Sequence, residues 1–114
     1  KNAIVTGAAR GIGRVIANRL ADDGWRVGLA DISIAAIENE EPLRTNCVAL
    51  EADVSKPESI AAALSAFGAT PDLLVNNAGI GIMSSIFTMS HADWSRQQAI
   101  NVDGVFFGLK HGCP

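Results

Sequence analysis

The sequence contains no tyrosine, so it offers no phenolic hydroxyl as a proton donor or acceptor. Cysteine is scarce: Cys47 and Cys113 are too few for a disulfide framework and lack the spacing of a metal site. His91 and His111 stand alone, so surface or local structural roles are expected of them and no metal ligand is assigned. Charge of neither sign runs in a block. Nine Lys+Arg against twelve Asp+Glu give a net charge of −3, which leaves no basic cluster to hold nucleic acid or an anionic membrane. No apolar run approaches the roughly 20 residues of a membrane span. No secretory leader is visible either, and with so few cysteines a reducing cytoplasm is the expected setting.

What is present describes an ordinary globular chain. Of its 114 residues 48% are hydrophobic and 18% charged, enough for one domain with one core over residues 1–114. It starts at Lys1 without a methionine and stops just after an apolar helical pattern. It therefore reads as part of a longer chain.

The rest is organised around Thr6-Gly7-Ala8-Ala9-Arg10-Gly11-Ile12-Gly13. The apolar Ala3-Ile4-Val5 before it suits a buried strand; Ile12, Val15, Ile16 and Leu20 after it have the spacing of one helix face. Strand, glycine turn and helix together aim main-chain N–H groups and a helix N-terminus at one point, which favours a pyrophosphate. A P-loop is excluded, since no Lys-Ser or Lys-Thr follows the last glycine. The plainer alternative is a turn that uses glycine only for its positive φ.

Further strands are expected at residues 25–31, 47–52 and 73–75, and helices at residues 11–23 and 34–43. Ser55-Lys56-Pro57-Glu58 predicts a capping box opening a helix that turns Ile60, Leu64 and Phe67 inward and ends at Gly68. Ser90 opens a last, long helix, apolar on more than one side, carrying Trp94, Ile100, Val102, Val105, Phe106 and Leu109. Four strands alternating with helices predict a parallel α/β sheet of the Rossmann type, doubly wound, truncated at about four strands in the order 3-2-1-4.

Ligands bind such sheets at the carboxyl ends of the strands. The polar tips there are Thr6-Gly7, Asp31, Asp53 and Asn76-Asn77. Asp31 is placed to accept hydrogen bonds from a ribose diol, its alternative being a solvated strand-end acid. A 2′-phosphate about 5 Å away would be repelled by roughly 3 kcal/mol at an effective dielectric near 20, which favours NAD over NADP. Arg10 works against that preference, because a guanidinium can pair with a phosphate. Asp53-Val54 offers a carboxylate and an apolar wall to an adenine, or Asp53 is merely a turn residue. Asn76-Asn77-Ala78-Gly79 reads as ligand contact or as cross-bracing of the sheet.

In order and spacing, Thr6-Gly7-X-X-X-Gly11-X-Gly13, Asp31, Asp53-Val54, Asn76-Asn77-Ala78-Gly79 and Asn101-Val102-X-Gly104 resemble the short-chain dehydrogenase/reductase family. The resemblance covers the whole chain and implies a nicotinamide cofactor, with hydride transfer between it and an alcohol or ketone. It implies that Gly7, Arg10, Gly11, Ile12 and Gly13 line the pyrophosphate turn, and that Asp31, with Ile32 beside it, holds the adenosine ribose. Asp53 and Val54 would flank adenine, Asn77, Ala78 and Gly79 would lie beside the cofactor, and Asn76 would brace the central strands. Asn101 resembles the asparagine of the family's catalytic tetrad, which holds a water in the proton relay. The family's catalytic serine and Tyr-X-X-X-Lys pair fall beyond the positions matched here. The resemblance also implies a homodimer or homotetramer built partly from the last helix. Residues 80–89 are expected to form an apolar wall of the substrate pocket. Two alternatives stand beside the oxidoreductase: a module that binds a dinucleotide without turnover, and an S-adenosylmethionine methyltransferase, which also places acids after its second and third strands.

Overall fold

The structure, a computed structural model, describes residues 1–113. The chain runs β1 (Asn2–Thr6), α1 (Gly11–Asp22), β2 (Arg26–Asp31), α2 (Ile34–Glu40), β3 (Cys47–Glu51), α3 (Pro57–Phe67), β4 (Leu73–Val75), α4 (His91–Gln98), a π-helical turn (Ala99–Asp103) and α5 (Gly104–Gly112). The four strands form one sheet in the order β3-β2-β1-β4, every neighbouring pair parallel, as the sequence predicts. Parallel pairing puts all four carboxyl ends on one edge.

Alternation along the strands builds a core on each side of the sheet. Val5, Val27 and Leu29 face Ala17 and Ala21 of α1 and Ile37 of α2. Ile4, Ala30 and Leu50 face Ala63 and Phe67 of α3. α5 lies on this second side, where Gly108 meets Leu74. Helices on both faces make the sheet doubly wound.

The glycine stops behave as read. Gly24 and Gly68 take φ of +91° and +77°, the left-handed values that end a helix. Ser33 and Ser90 cap α2 and α4 by accepting from the amides of Ala36 and Asp93. Among the described residues no helix is long and apolar enough to cross a membrane.

Three expectations are corrected. Only half of the expected face of α1 meets the core: Ile16 and Leu20 pack against it, but Ile12 and Val15 are 75% and 68% exposed, and the fully buried positions are Gly13, Arg14, Ala17 and Ala21. Near a tight turn the helix runs so close to the sheet that only small residues fit between them. The capping box does not form. Lys56 occupies the N-cap position without a side-chain bond, while Ser55 gives its hydroxyl to Asp53 Oδ1 at 2.6 Å. That bond turns the Ser55 side chain back toward Asp53, and α3 begins one residue later than a Ser55 cap would start it. Finally, the last helix is interrupted by the π turn, which contains Asn101.

Candidate functional site

The turn after β1 begins and ends on glycines that need their freedom. Gly7 and Gly11 have φ of +63° and +62°. Gly13 has an ordinary φ but no room, since a Cβ there would overlap the Gly7 carbonyl and the Asn77 amide nitrogen. α1 thus starts hard against the turn. Its N-cap, Arg10, supplies no side-chain acceptor, so the first amides of the helix keep their unpaired donors at the carboxyl edge of the sheet.

Thr6 ties this turn to β4. Its Oγ1 accepts from the amides of Asn77 and Ala78, each at 3.0 Å. The Asn77 side chain donates to the carbonyls of Thr6 and Gly7 at 3.1 and 3.2 Å. The brace expected of Asn76 is therefore made by Asn77. Asn76 instead sets its side-chain oxygen against Gly108 of α5, so tightly that a Cβ there would overlap it.

Asp31 closes β2 with both carboxylate oxygens engaged. Oδ2 accepts from the Ala9 amide at 2.9 Å and Oδ1 from the Ile32 amide at 2.7 Å. Each oxygen keeps a further lone pair. Asp53 makes the bonds of a turn: Oδ1 accepts from the Ser55 amide at 3.0 Å, and its own amide donates to Ser59 Oγ at 2.8 Å.

These tips enclose a cleft of about 510 Å³. Gly7, Arg10, Ile12, Asp31, Ile32, Asp53, Val54, Asn77, Ala78 and Gly79 all line it; Gly11 and Gly13 shape the turn from behind. The structure thus brings together the sequence-predicted residues of all four strand ends. Ile80, from the expected apolar wall, lines it too; sequence reasoning missed Ala52, Arg96 and Ile100, which complete the lining. Arg96 and Ile100 lie four apart on the last helix, a spacing that put them on one face, but nothing local aimed that face at the sheet edge.

Asn101 stands next to this wall. Its side chain accepts from the Ile80 amide and donates to the Ile80 carbonyl, both at 2.8 Å, in the manner of a neighbouring strand. The π turn offsets the ladder where this side chain leaves the helix, a common placement for such turns at functional sites. Among the described residues no group of three His, Cys, Asp or Glu could hold a metal ion. Three ionisations, those of Asp22, Arg44 and Cys47, are moved by their surroundings away from the cleft, Arg44 upward by its bond to Asp22. The Arg44 guanidinium holds Asp22 below the usual carboxylate value, and burial pushes the Cys47 thiol up.

Comparison with known proteins agrees with this geometry. The chain is 39% identical over 118 residues to a diacetyl reductase [(S)-acetoin forming] of Staphylococcus epidermidis, covering 96% of this chain and 46% of that protein. It is 42% identical over 121 residues to glucose 1-dehydrogenase 2 of Bacillus subtilis, with the same coverage of 96% and 46%. The crystal structure of 3-ketoacyl-(acyl-carrier-protein) reductase from Brucella melitensis complexed with NADH superposes with a TM-score of 0.87 at 33% identity, over 96% of this chain and 48% of that one. The chain spans about half the length of the curated relatives it matches. A family model for short chain dehydrogenase matches residues 1–114. With a glycine turn, an acid-ended second strand and a matching sheet order already in place, that full-length match settles the assignment: the chain belongs to the short-chain dehydrogenase family of oxidoreductases.

Proposed function

We propose that residues 1–114 form the dinucleotide-binding domain of an NAD-dependent oxidoreductase that moves hydride between the nicotinamide and an alcohol or ketone. The observation that carries this reading is the single cleft lined from all four strand ends. Its volume, about 510 Å³, lies within the usual range for small-ligand sites. The residues fit the cofactor. Two left-handed glycines and a third with no room for a Cβ leave bare main chain where the pyrophosphate would rest. The uncapped start of α1 adds unpaired donors and the positive end of the helix dipole.

In this reading Gly7, Arg10, Gly11, Ile12 and Gly13 hold the pyrophosphate, and Asp31 with Ile32 holds the adenosine ribose. Asp53 and Val54 flank adenine; Asn77, Ala78 and Gly79 lie along the rest of the cofactor. The cofactor, when bound, supplies or accepts the hydride. This chain's residues bind it, orient it and exclude water from one side. Asn101 would serve the proton relay, but its carboxamide is committed to Ile80. The carboxylate of Asp31 supports NAD over NADP, and the Brucella relative's complex with NADH supports the same choice.

A second reading, binding without turnover, is favoured by one observation: the Asn101 carboxamide is taken up by the Ile80 main chain. Family membership removes the methyltransferase alternative. A small-molecule alcohol or ketone substrate, a homo-oligomeric assembly and a cytoplasmic location complete the proposal. Titration with NADH and NADPH by fluorescence tests it, with tighter NADH binding expected. Tighter NADPH binding would overturn the cofactor assignment, and no binding of either would overturn the site. Alcohol oxidation with NAD then separates the oxidoreductase from the binding-only module.

A further inference from the structure

Ala9 lies midway along the glycine turn, and groups of opposite charge hold its two sides. Its N–H donates to Asp31 Oδ2 at 2.9 Å, and its carbonyl accepts from Arg14 at 3.4 Å, the longer contact. Both Ala9 and Arg14 are buried, at 2% and 3% exposure, so water does not compete for the bond between them, and the low local dielectric strengthens the guanidinium's hold on the carbonyl.

Arg14 does not line the cleft. Its guanidinium donates to the carbonyls of Ile37 and Glu41 at 2.8 and 2.7 Å. Those carbonyls end α2, a seven-residue helix with no basic residue in its last turn. Arg14 supplies the missing positive charge from a different helix. Glu41 answers it, with Oε1 at 3.3 Å from Arg14 Nε, and the same oxygen accepts from Asn18 at 2.6 Å. The geometry at Nε is too poor for a hydrogen bond, so that atom is buried without a partner. Such a group is costly unless its other bonds do something worth keeping.

We infer that Arg14 is a positioning residue for the turn: it fixes the Ala9 carbonyl to the end of α2 while Asp31 fixes the Ala9 amide. The need follows from the backbone. Left-handed glycines flank Ala8, Ala9 and Arg10 on both sides, which would leave three residues swinging between two permissive hinges. The Ala8 amide is held by the Ala30 carbonyl at 3.2 Å, and the Ala9 clamp holds the next peptide. A turn ordered in advance loses less entropy when it takes its ligand. The inference rests on the reading of this turn as the pyrophosphate site.

The test compares NADH with adenosine, which lacks the pyrophosphate, on the wild-type full chain and on Arg14→Met and Arg14→Lys. NADH is followed by fluorescence and adenosine by ligand-observed NMR. Arg14→Met is expected to weaken NADH about 10-fold, the scale of one charge-assisted bond, and to change adenosine less than about twofold. Arg14→Lys falls between, since an ammonium keeps the charge but cannot fork to three carbonyls. If Arg14→Met does not fold, Arg14→Lys decides, with faster hydrogen exchange at the Ala9 amide as its second readout. Unchanged NADH affinity in a folded variant overturns the inference. So does equal weakening of NADH and adenosine, which marks a general structural role. A wild-type chain that binds no NADH overturns this inference together with the reading beneath it.

Discussion

Alanine at Gly11 and at Gly13 separates two kinds of demand made by one turn. Gly11 has open space around its Cβ position but a φ of +62°, so Gly11→Ala is expected to cost about 1–2 kcal/mol of backbone strain and nothing in packing. Gly13 has no φ constraint but would drive a methyl into the Gly7 carbonyl and the Asn77 amide. Its alanine variant is expected to lose about 2–3 kcal/mol, with NADH affinity down by more than about 10-fold because the brace to β4 shifts as well. Urea unfolding and NADH titration check both; a Gly13→Ala chain matching the wild type would mean that α1 stands off the turn. Asp31→Asn keeps an acceptor for the Ala9 amide and removes the charge. The ratio of NADPH to NADH affinity should then rise at least about 10-fold, given a repulsion of roughly 3 kcal/mol across 5 Å. The same substitution leaving the ratio untouched would assign Asp31 to the turn alone. The cysteines give a check outside the cleft. Cys47 is half-buried with its thiol pushed up by that burial, whereas Cys113 is exposed, so iodoacetamide at neutral pH should label Cys113 first.

Small residues, rather than large ones, set how closely the helices approach the sheet. In α1 the buried stripe is Gly13, Ala17 and Ala21; in α5 it is Gly104, Gly108 and Gly112. Both stripes repeat every four residues; in α1, Ile16 and Leu20 pack beside the stripe on the same core, while Ile12 and Val15 face outward. Hence the strands, their order and their tips were legible in the sequence, while the buried face of α1 was legible only at Ile16 and Leu20. A periodicity argument counts apolar bulk, and the closest contacts use none. Arg14 was illegible for a related reason: its partners at the end of α2 come more than 20 residues later. The glycine stripe of α5 also fixes the sign of two substitutions. Alanine gains up to about 1 kcal/mol of helix propensity over glycine in a helix interior. At Gly108 the new methyl would overlap the Asn76 side chain, itself wedged beneath the helix, so Gly108→Ala is expected to lose about 1–3 kcal/mol net. At Gly112 the methyl meets only the end of Leu74, at 3.0 Å, and that flexible tip can move. Gly112→Ala should be near neutral. Urea midpoints measure the pair, and equal destabilisation at both would contradict the argument from close approach.

Across the whole molecule, one side remains apolar and uncovered. β4 is an edge strand of three residues, with Leu73 exposed. On the last helix Val102, Phe106 and Leu109 lie opposite the glycine stripe and are each more than half exposed, as is Trp94 one element earlier. Met83, Ile86 and Phe87 are more open still, in the segment between β4 and α4. Apolar side chains exposed along one helix offer surface for association. Its strength can be bounded. A large aromatic or aliphatic side chain presents on the order of 100 Å² when half exposed, so Trp94, Val102, Phe106 and Leu109 together offer a few hundred Å². A stable protein pair buries about 800 Å² on each partner. The 114-residue chain is therefore expected to self-associate weakly, with dissociation constants of about 10 μM or more, rather than to form a tight dimer. Sedimentation velocity between about 1 and 100 μM should show a concentration-dependent shift toward larger species. Phe106→Glu places a charge at the centre of that face and touches no part of the cleft, so it should return the chain to monomer while leaving NADH affinity within about twofold. A wild-type chain that sediments as a monomer throughout would show that this surface is no self-association site. Loss of NADH binding in the variant would show that the helix and the cleft are coupled more tightly than their separate linings indicate.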